Sequence, residues 1–322
     1  MRAAVMTDFG GPEVIEVQEV AKPTPGPTDV LIEVRAAAIN PVDCKTRQAP
    51  RWGDRKPPMI LGFDCAGVIE EVGAEVSGFS VGDEVYCSPA LVRDGAYAEY
   101  VAVDARTIAA KPASASFEEA AAVPLAVITA WEALHHHARI QPGETVLVFG
   151  GAGGVGHFAI QLARAFGCKV LATAGREQTL AFCRELGAET IDYRNGEIGE
   201  RIADVAFDCV GGTVFSQAID AVNVNGRVVT IVPGVPGDDI NKCFGKNASI
   251  HFEFMGSAVM NDAAPESQGE ILRNVAELID NGQLRANIFK TYTLDQIADA
   301  HQQQESQRTV GKLVVTVDRE LA

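Results

Sequence analysis

A chain of 322 residues with 47% apolar content exceeds a single typical core and is expected to fold as two domains. Forty-three acidic against 27 basic residues leave a formal charge of −16, a balance that repels a phosphate backbone or an anionic membrane over most of the surface. The apolar run after Arg2 ends at Met6, no later run is long enough to span a bilayer, and the seven cysteines are scattered without a CxxC pair, unlike disulfide frameworks or zinc knuckles. The expectation is a cytoplasmic protein with free thiols and with no nucleic-acid or membrane partner.

Residues 1 to about 110 read as short strands at 2–6, 14–20, 30–35, 65–72, 83–87 and 97–103. Several of them are β-branched or alternate, and turns at Gly10-Gly11, Pro25-Gly26-Pro27 and Gly82-Asp83 separate them, which suggests an antiparallel barrel or sandwich. From Phe117 the period becomes helical, through the Ala-rich 118–123 and then 130–137. At Thr145 an alternation begins, with strands expected at 145–149, 169–173, 190–193, 206–210, 227–232 and 249–254, and helices such as 155–166 and 177–186 closed by Gly167 and Gly187. Alternation of this kind implies a parallel sheet covered by helices on both faces. After Gly256 the pattern predicts helices at 270–281 and 294–304 and a last strand at 311–317, whose pairing periodicity alone does not decide.

The strand 145–149 runs into Gly150-Gly151-Ala152-Gly153-Gly154-Val155-Gly156, and apolar positions 155, 158, 159, 162, 163 and 166 follow with helical spacing. Gly151, Gly153 and Gly156 form GxGxxG, in which the first glycine permits the turn, the second lets the backbone approach a diphosphate and the third packs helix on strand. Free amides at the helix start, from Gly154 and Val155 onward, would hold the phosphates. An acid about 20 residues past the first glycine would hold both ribose hydroxyls of NAD. This chain reads Thr173-Ala174-Gly175-Arg176 there, with a small residue and a permanent cation where the 2′-phosphate of NADP lies. The cofactor expected is therefore NADP(H), although Glu177 stands beside Arg176 and Arg176 also reads as a solvated residue opening the next helix.

Several separated motifs agree in order: residues 38–43 (Ala-Ile-Asn-Pro-Val-Asp), 58–64 (Pro-Met-Ile-Leu-Gly-Phe-Asp) with Gly67-Val68, 81–85, 95–100, Thr129-Ala130-Trp131, the glycine loop and Gly311-Lys312. On these the chain resembles, over nearly its whole length, a zinc-independent medium-chain dehydrogenase/reductase of the quinone oxidoreductase, zeta-crystallin-like branch. The resemblance implies an α/β fold: a GroES-like β-rich catalytic domain, residues 1–118 with 259–322, and a Rossmann doubly wound domain, residues 119–258, with the active site in the cleft. It also implies a homodimer formed through the edge strand around 248–255.

Zinc-dependent relatives hold a metal on Cys and His, and the positions that look equivalent are Asn40 and Phe63, neither a normal zinc ligand. No metal is expected, so the electron sink must lie in the substrate, as in a quinone or an enone. By resemblance Asn40 and Thr129 contact the ribose or nicotinamide, and Val232, Pro233 and Gly234 line the carboxamide. Tyr193 and Arg176 flank the 2′-phosphate beside Thr173 and Gly175, while Gly211, Gly311 and Lys312 close over the cofactor. Asn40, Asp43 and Lys45 are the candidate catalytic residues. Lys45 stands where many quinone reductases carry a Tyr, as a donor to the substrate oxygen or as a plain surface lysine. Asn40 also reads as a turn residue, Asp43 as a helix cap and Tyr193 as a half-buried strand aromatic.

His135-His136-His137 are spread around a helix axis and cannot share one ion well. His157 is expected to pack on the sheet rather than meet phosphates. Two readings remain beside a quinone reductase: an enoyl or 2-alkenal reductase on the same scaffold, and a crystallin-like protein that binds NADPH without turnover.

Overall fold

The organising element of the N-terminal part is the eleven-residue strand Asp29–Ile39, which is buried along most of its length. It pairs antiparallel with Cys65–Val72, with Tyr100–Asp104 and with the last strand, Lys312–Thr316, where Leu313 stands opposite Ile39. These belong to a seven-stranded sheet that also takes in Glu84–Cys87, Ala109–Ala110 and Ile288–Thr293. A smaller sheet orders Ile15–Glu19, Arg2–Met6 and Met59–Ile60. The helix Glu266–Asp280 buries Ile271, Leu272 and Val275 and packs against the short turn Ala105–Thr107.

This is a computed structural model that describes residues 1–51, 53–234 and 237–317. The chain divides into two units, Met1–Leu125 with Gly256–Ala322 and, separately, Ala126–Met255. The terminal strand thus joins the N-terminal sheet, a pairing made across some 270 residues that no local pattern encodes.

The second unit is built on a six-stranded, wholly parallel sheet. Its order is Glu189–Asp192, Lys169–Ala174, Thr145–Phe149, Ala203–Asp208, Val222–Thr230, Ser249–Phe252. Sequence order runs outward in one direction from Thr145–Phe149 and then reverses across it to Ala203–Asp208, the switch point at which doubly wound sheets bind ligands beyond the carboxyl ends of their strands. Val146, Leu147, Val148 and Phe149 are all at or below 1% exposure, as expected for a strand covered on both faces. Phe149, Phe215, Ile219 and Val228 lie in one apolar cluster with Leu147 and Cys243, and burying each large side chain is worth about 1.5–3 kcal/mol.

The strand bounds differ from expectation where composition misleads. The strand 30–35 extends through Ala36–Ala38, small residues of low β propensity that are nevertheless fully buried. Ile288–Thr293 was not anticipated, because its burial is poor and its residues Lys290, Thr291 and Thr293 are polar. All seven cysteines are free, six of them buried. Among the described residues no helix is long and apolar enough to cross a membrane.

Candidate functional site

In the second unit the site begins where the strand Thr145–Phe149 ends. The loop is tied to the neighbouring strand by Gly151, whose N–H donates to the Thr173 carbonyl at 3.2 Å, and by Gly150, whose N–H donates to the Thr173 hydroxyl at 3.2 Å. Thr173, expected beside the 2′-phosphate, is 4% exposed and bonds to the loop through its hydroxyl and carbonyl oxygens. Gly153 is the N-cap of the helix Gly154–Ala165 and offers no side chain to it, so the first-turn amides of Gly154, Val155 and Gly156 are open to an anion. A Cβ on Gly156 would stand 2.2 Å from the Gly150 carbonyl oxygen, whereas one on Gly153 would meet nothing closer than 3.3 Å. The third glycine is therefore a packing requirement, and the second faces free space. These features fit a diphosphate.

His157 is fully buried, with Nδ1 3.0 Å from the Gly153 carbonyl and its ring against Phe158. Since a carbonyl only accepts, Nδ1 carries the proton and the imidazole fastens the loop to its own helix.

At the end of Lys169–Ala174 the chain turns through Gly175 into the helix Glu177–Glu185. Arg176 is its N-cap; its N–H donates to the Thr179 hydroxyl at 3.1 Å. Glu177, the acid beside it, is paired with Arg184 on the same helix. Tyr193 is 54% exposed, and its ring covers Gly175 so closely that a Cβ there would lie 2.4 Å from Tyr193 Cζ. Asp192 accepts from the Arg194 amide at 3.0 Å and from Asn195 Nδ2 at 2.6 Å. Gly175, Arg176 and Tyr193 are thus brought together, and the two nearest acids are engaged elsewhere.

The carboxyl ends of Ala203–Asp208 and Val222–Thr230 carry a feature that sequence reasoning missed. Asp208 is fully buried; it accepts from the amides of Val210 and Gly211, both at 2.9 Å, and from the Thr230 hydroxyl at 3.0 Å. It fixes the turn at Gly211 and the start of the Val232-Pro233-Gly234 segment, where Thr230 Oγ1 accepts from the Val232 amide at 3.2 Å. An isolated Asp at a strand end gives no local signal of this. Thr129, on the helix Pro124–Trp131, is buried. A second cluster in this unit joins Glu132, Glu253 and His137. Glu253 Oε2 lies 3.0 Å from His137 Nε2, and Glu132 hydrogen bonds to Glu253. Burial, then the neighbouring Glu253 charge, pushes Glu132 up to about 9, and burial pushes Glu253 up to about 7, so this pair retains a proton at neutral pH.

In the first unit the helix Pro41–Gln48 is started by Asn40, with Pro41 at its first position. Asp43 accepts from the Asn40 amide at 2.8 Å and from the Gly62 amide at 3.0 Å. It is fully buried, and desolvation holds its carboxyl up at about 7. Both oxygens of Asp43 are spent on backbone, which makes it a cap and brace. Asn40, 2% exposed, donates from Nδ2 to Asp64 Oδ2 at 2.7 Å. Lys312, also 2% exposed, donates to Asp64 Oδ2 at 2.9 Å and to Asn40 Oδ1. The second oxygen of Asp64 accepts from the Leu125 amide at 2.7 Å. Lys312, expected to close over the cofactor, thus reaches inward to its own unit's buried centre, and Gly311 backs onto Asn287, whose carbonyl oxygen a Cβ there would meet at 2.2 Å. Lys45, on the same helix, is exposed.

Whether a zinc ion fits can be judged from these contacts. Asn40 is bonded to Lys312 and Asp64, Phe63 is apolar and fully buried, and the Lys312 ammonium stands among them, a resident cation that repels a divalent ion. Cys44 Sγ lies 3.5 Å from His301 Nδ1, to which Arg47 also reaches at 3.1 Å. Burial, then Arg47, drives His301 down to about 3, while burial raises Cys44 to about 12, so the pair is a neutral core contact. Among the described residues no group of three or more His, Cys, Asp or Glu side chains converges to hold a metal. The residues present do not fit zinc.

Two family models match this chain, one of them running across the boundary between Met255 and Gly256. Residues 26–113 match the alcohol dehydrogenase GroES-like domain and residues 186–315 the zinc-binding dehydrogenase domain. A quinone oxidoreductase from Pongo abelii is 34% identical over 94% of this chain and 93% of its own length. Among solved structures, an alcohol dehydrogenase superfamily protein from Novosphingobium aromaticivorans superposes with a TM-score of 0.90 at 35% identity, covering 99% of this chain and all of that one. An NAD-dependent alcohol dehydrogenase gives 0.89 at 33%, covering 99% of this chain and 100% of that one. Mycobacterial Rv1454c complexed with NADPH gives 0.87 at 26%, covering 98% and 100%.

Proposed function

The chain belongs to the medium-chain dehydrogenase/reductase family that includes the quinone oxidoreductases, and from that premise we propose that it is an NADPH-dependent reductase of quinones or similar conjugated carbonyls that works without zinc. The observation that carries the acceptor class is the buried Lys312–Asp64–Asn40 cluster. It occupies, with its own cation, the place from which a metal would polarise an isolated carbonyl. Lacking that Lewis acid, the enzyme needs an acceptor whose conjugation stabilises the added charge by itself.

One relative is titled NAD-dependent and another is complexed with NADPH, so the choice of cofactor rests on this chain's residues. The open amides from Gly154 to Gly156 receive the diphosphate, with Gly153 leaving room for it and Gly151 making the turn against Ala172 and Cys183. Arg176 and Tyr193 flank the 2′-phosphate, since Glu177 is neutralised by Arg184 and offers no repulsion. Val232, Pro233 and Gly234, held in place by Asp208 and Thr230, line the carboxamide, and Thr129 and Asn40 orient the nicotinamide ribose. When bound, NADPH supplies a hydride to the conjugated acceptor. Asn40 has one Nδ2 hydrogen left to donate, and Lys45 is the donor assigned to the developing oxygen charge. Two chains associate through the edge strand Ser249–Phe252, beside which Phe252 and Phe254 are 56% and 42% exposed.

The test is NADPH oxidation with 1,2-naphthoquinone, an acyclic enone and cyclohexanone, with elemental analysis of the same preparation. Quinone turnover without stoichiometric metal is expected. Turnover of cyclohexanone dependent on one zinc per chain contradicts the proposal. Enone turnover exceeding quinone turnover moves it to an enoyl reductase.

A further inference from the structure

Thr129 and the strand end that carries Thr230 and Val232 lie far apart in the sequence of the second unit, and Glu132 and Glu253 join them. The helix Pro124–Trp131 passes directly into π winding over Glu132–His137, where the Ala138 amide donates to the Ala133 carbonyl, five residues back, at 2.9 Å. Winding of this kind is rare and frequently marks a functional site. Glu132, one turn beyond Thr129, is hydrogen bonded to Glu253. Glu253 follows the edge strand Ser249–Phe252, and its amide donates to the Thr230 carbonyl at 2.9 Å. Thr230 is the residue whose hydroxyl oxygen accepts from the Val232 amide.

The junction consists of two carboxyl groups sharing a proton. The Glu253 side chain is 1% exposed, and two carboxylates in contact at such a place repel each other, so one of them stays protonated and donates to the other. Burial and the Glu253 charge keep that proton on Glu132 up to about pH 9. The other charged and titratable groups around the junction are few. His137 lies 3.0 Å from Glu253 Oε2, and His251, on Ser249–Phe252, faces His137 with ring centroids 5.9 Å apart. From Val222–Thr230, Arg227 is committed to the Ala138 carbonyl and to Glu144. His135 packs on Trp131 and Phe166, His136 packs on His135, and Arg139 acts on His251. Loss of the shared proton therefore sets two negative charges against each other with His137 beside them.

We propose that the Glu132–Glu253 hydrogen bond holds the Thr129 helix against the Thr230–Val232 strand end, so that Glu132 is a positioning residue for the nicotinamide half of the cofactor and its ionisation loosens that half alone. The phosphate half has no such dependence in alkaline solution. Its phosphates are fully ionised there, Arg176 is a permanent cation, and the amides of Gly154 to Gly156 do not titrate. The proposal rests on the cofactor reading given above, and the experiment has one arm independent of it.

In the binding arm, Kd is measured between pH 7.5 and pH 10 for NADPH and for 2′-phospho-ADP-ribose, which lacks the nicotinamide. In wild type the Kd of NADPH should rise about fivefold over that range, turning upward near pH 9, while that of 2′-phospho-ADP-ribose changes less than twofold. Glu132→Gln, which keeps a donor to Glu253 at every pH, should make the NADPH profile flat. Glu253→Gln also leaves a single carboxyl and should flatten it likewise, which keeps the test in force if Glu132→Gln fails to fold. An unchanged rise in either folded variant, or an equal rise for both ligands in wild type, overturns the proposal. In the ligand-free arm, Trp131 emission is followed over the same range in a Trp52→Phe background. A change with its midpoint near pH 9 that Glu132→Gln abolishes sustains the proton-held junction even if neither ligand binds, in which case only the cofactor reading fails. No such change overturns the junction whatever the binding arm gives.

Discussion

The glycine loop of the second unit and the Asn40–Asp64–Lys312 centre of the first are both polar sites, the loop part-open and the centre buried, and they are made of different material. The loop works through backbone amides from Gly154 to Gly156 within seven consecutive residues, and the strand that supports it, Lys169–Ala174, lies next to it. The centre works through side chains from residues 40, 64 and 312, gathered from three distant elements and enclosed until Asn40 and Lys312 are 2% exposed and Asp64 is not exposed at all. A site of the first kind fails when its backbone is displaced. One of the second kind fails when one charge is left without its partner.

The largest effect is expected from separating the buried charges. Asp64→Ala strands the Lys312 ammonium, and Lys312→Met strands the Asp64 carboxylate; each should lower unfolding stability by about 3–5 kcal/mol. The double variant Asp64→Leu with Lys312→Met should recover most of that loss in urea unfolding, because it removes both charges. Single variants within 1 kcal/mol of wild type would show that the centre is not a coupled pair.

Next comes the loop. In Gly156→Ala the new methyl would lie 2.2 Å from the Gly150 oxygen, so the helix must shift at an overpacking cost of about 1–3 kcal/mol. The loop geometry moves with it, and NADPH affinity measured by fluorescence titration should fall more than tenfold while the first unit's near-ultraviolet signal is retained. Unchanged affinity would mean that the third glycine has no packing duty.

The smallest effects are in pH, where buried carboxyls and a buried imidazole respond in opposite senses. Glu132 is raised from 4.5 to about 9, so the native state keeps a proton that the unfolded chain releases. Its contribution is fully present below about pH 4.5 and is lost as pH rises towards 9. His301 is depressed from 6.5 to about 3; its contribution is present above about pH 6.5 and is lost as pH falls towards 3. Asp43, raised from 3.8 to about 7, adds within the first unit a contribution that is fully present below about pH 4 and is lost as pH rises towards 7. Thermal unfolding of Glu132→Gln should therefore be flatter than wild type between pH 7 and 9, and His301→Asn flatter below pH 6. Parallel profiles in either case would remove that residue from the account.

The same division explains how much the sequence disclosed. The turn and packing duties of Gly151 and Gly156 and the place of Arg176 at the start of the next helix were legible because the motif, its strand and its helix are contiguous, whereas Tyr193 came only with the resemblance. Asp43 was legible as a cap from Asn40-Pro41. What stayed hidden needed three-dimensional information. Nothing near Asp64 points to Lys312, 248 positions away, and Asp208 gains its role only when the strand Val222–Thr230 brings Thr230 beside it. His301 reads as a polar helical residue until Arg47 and Cys44 enclose it. Lys312 was assigned to the cofactor for the same reason, since its motif tells of its importance and not of its direction.

The central claim is that the second unit holds a dinucleotide by its diphosphate at Gly154–Gly156 and by its 2′-phosphate at Arg176. Dissociation constants for NADPH and NADH in wild type and Arg176→Ala test it most directly. NADPH should bind wild type at least tenfold more tightly than NADH, a difference of ~1.4 kcal/mol or more, and Arg176→Ala should weaken NADPH while leaving NADH unchanged. Equal affinities in wild type, or an Arg176→Ala variant that weakens both equally, would contradict it.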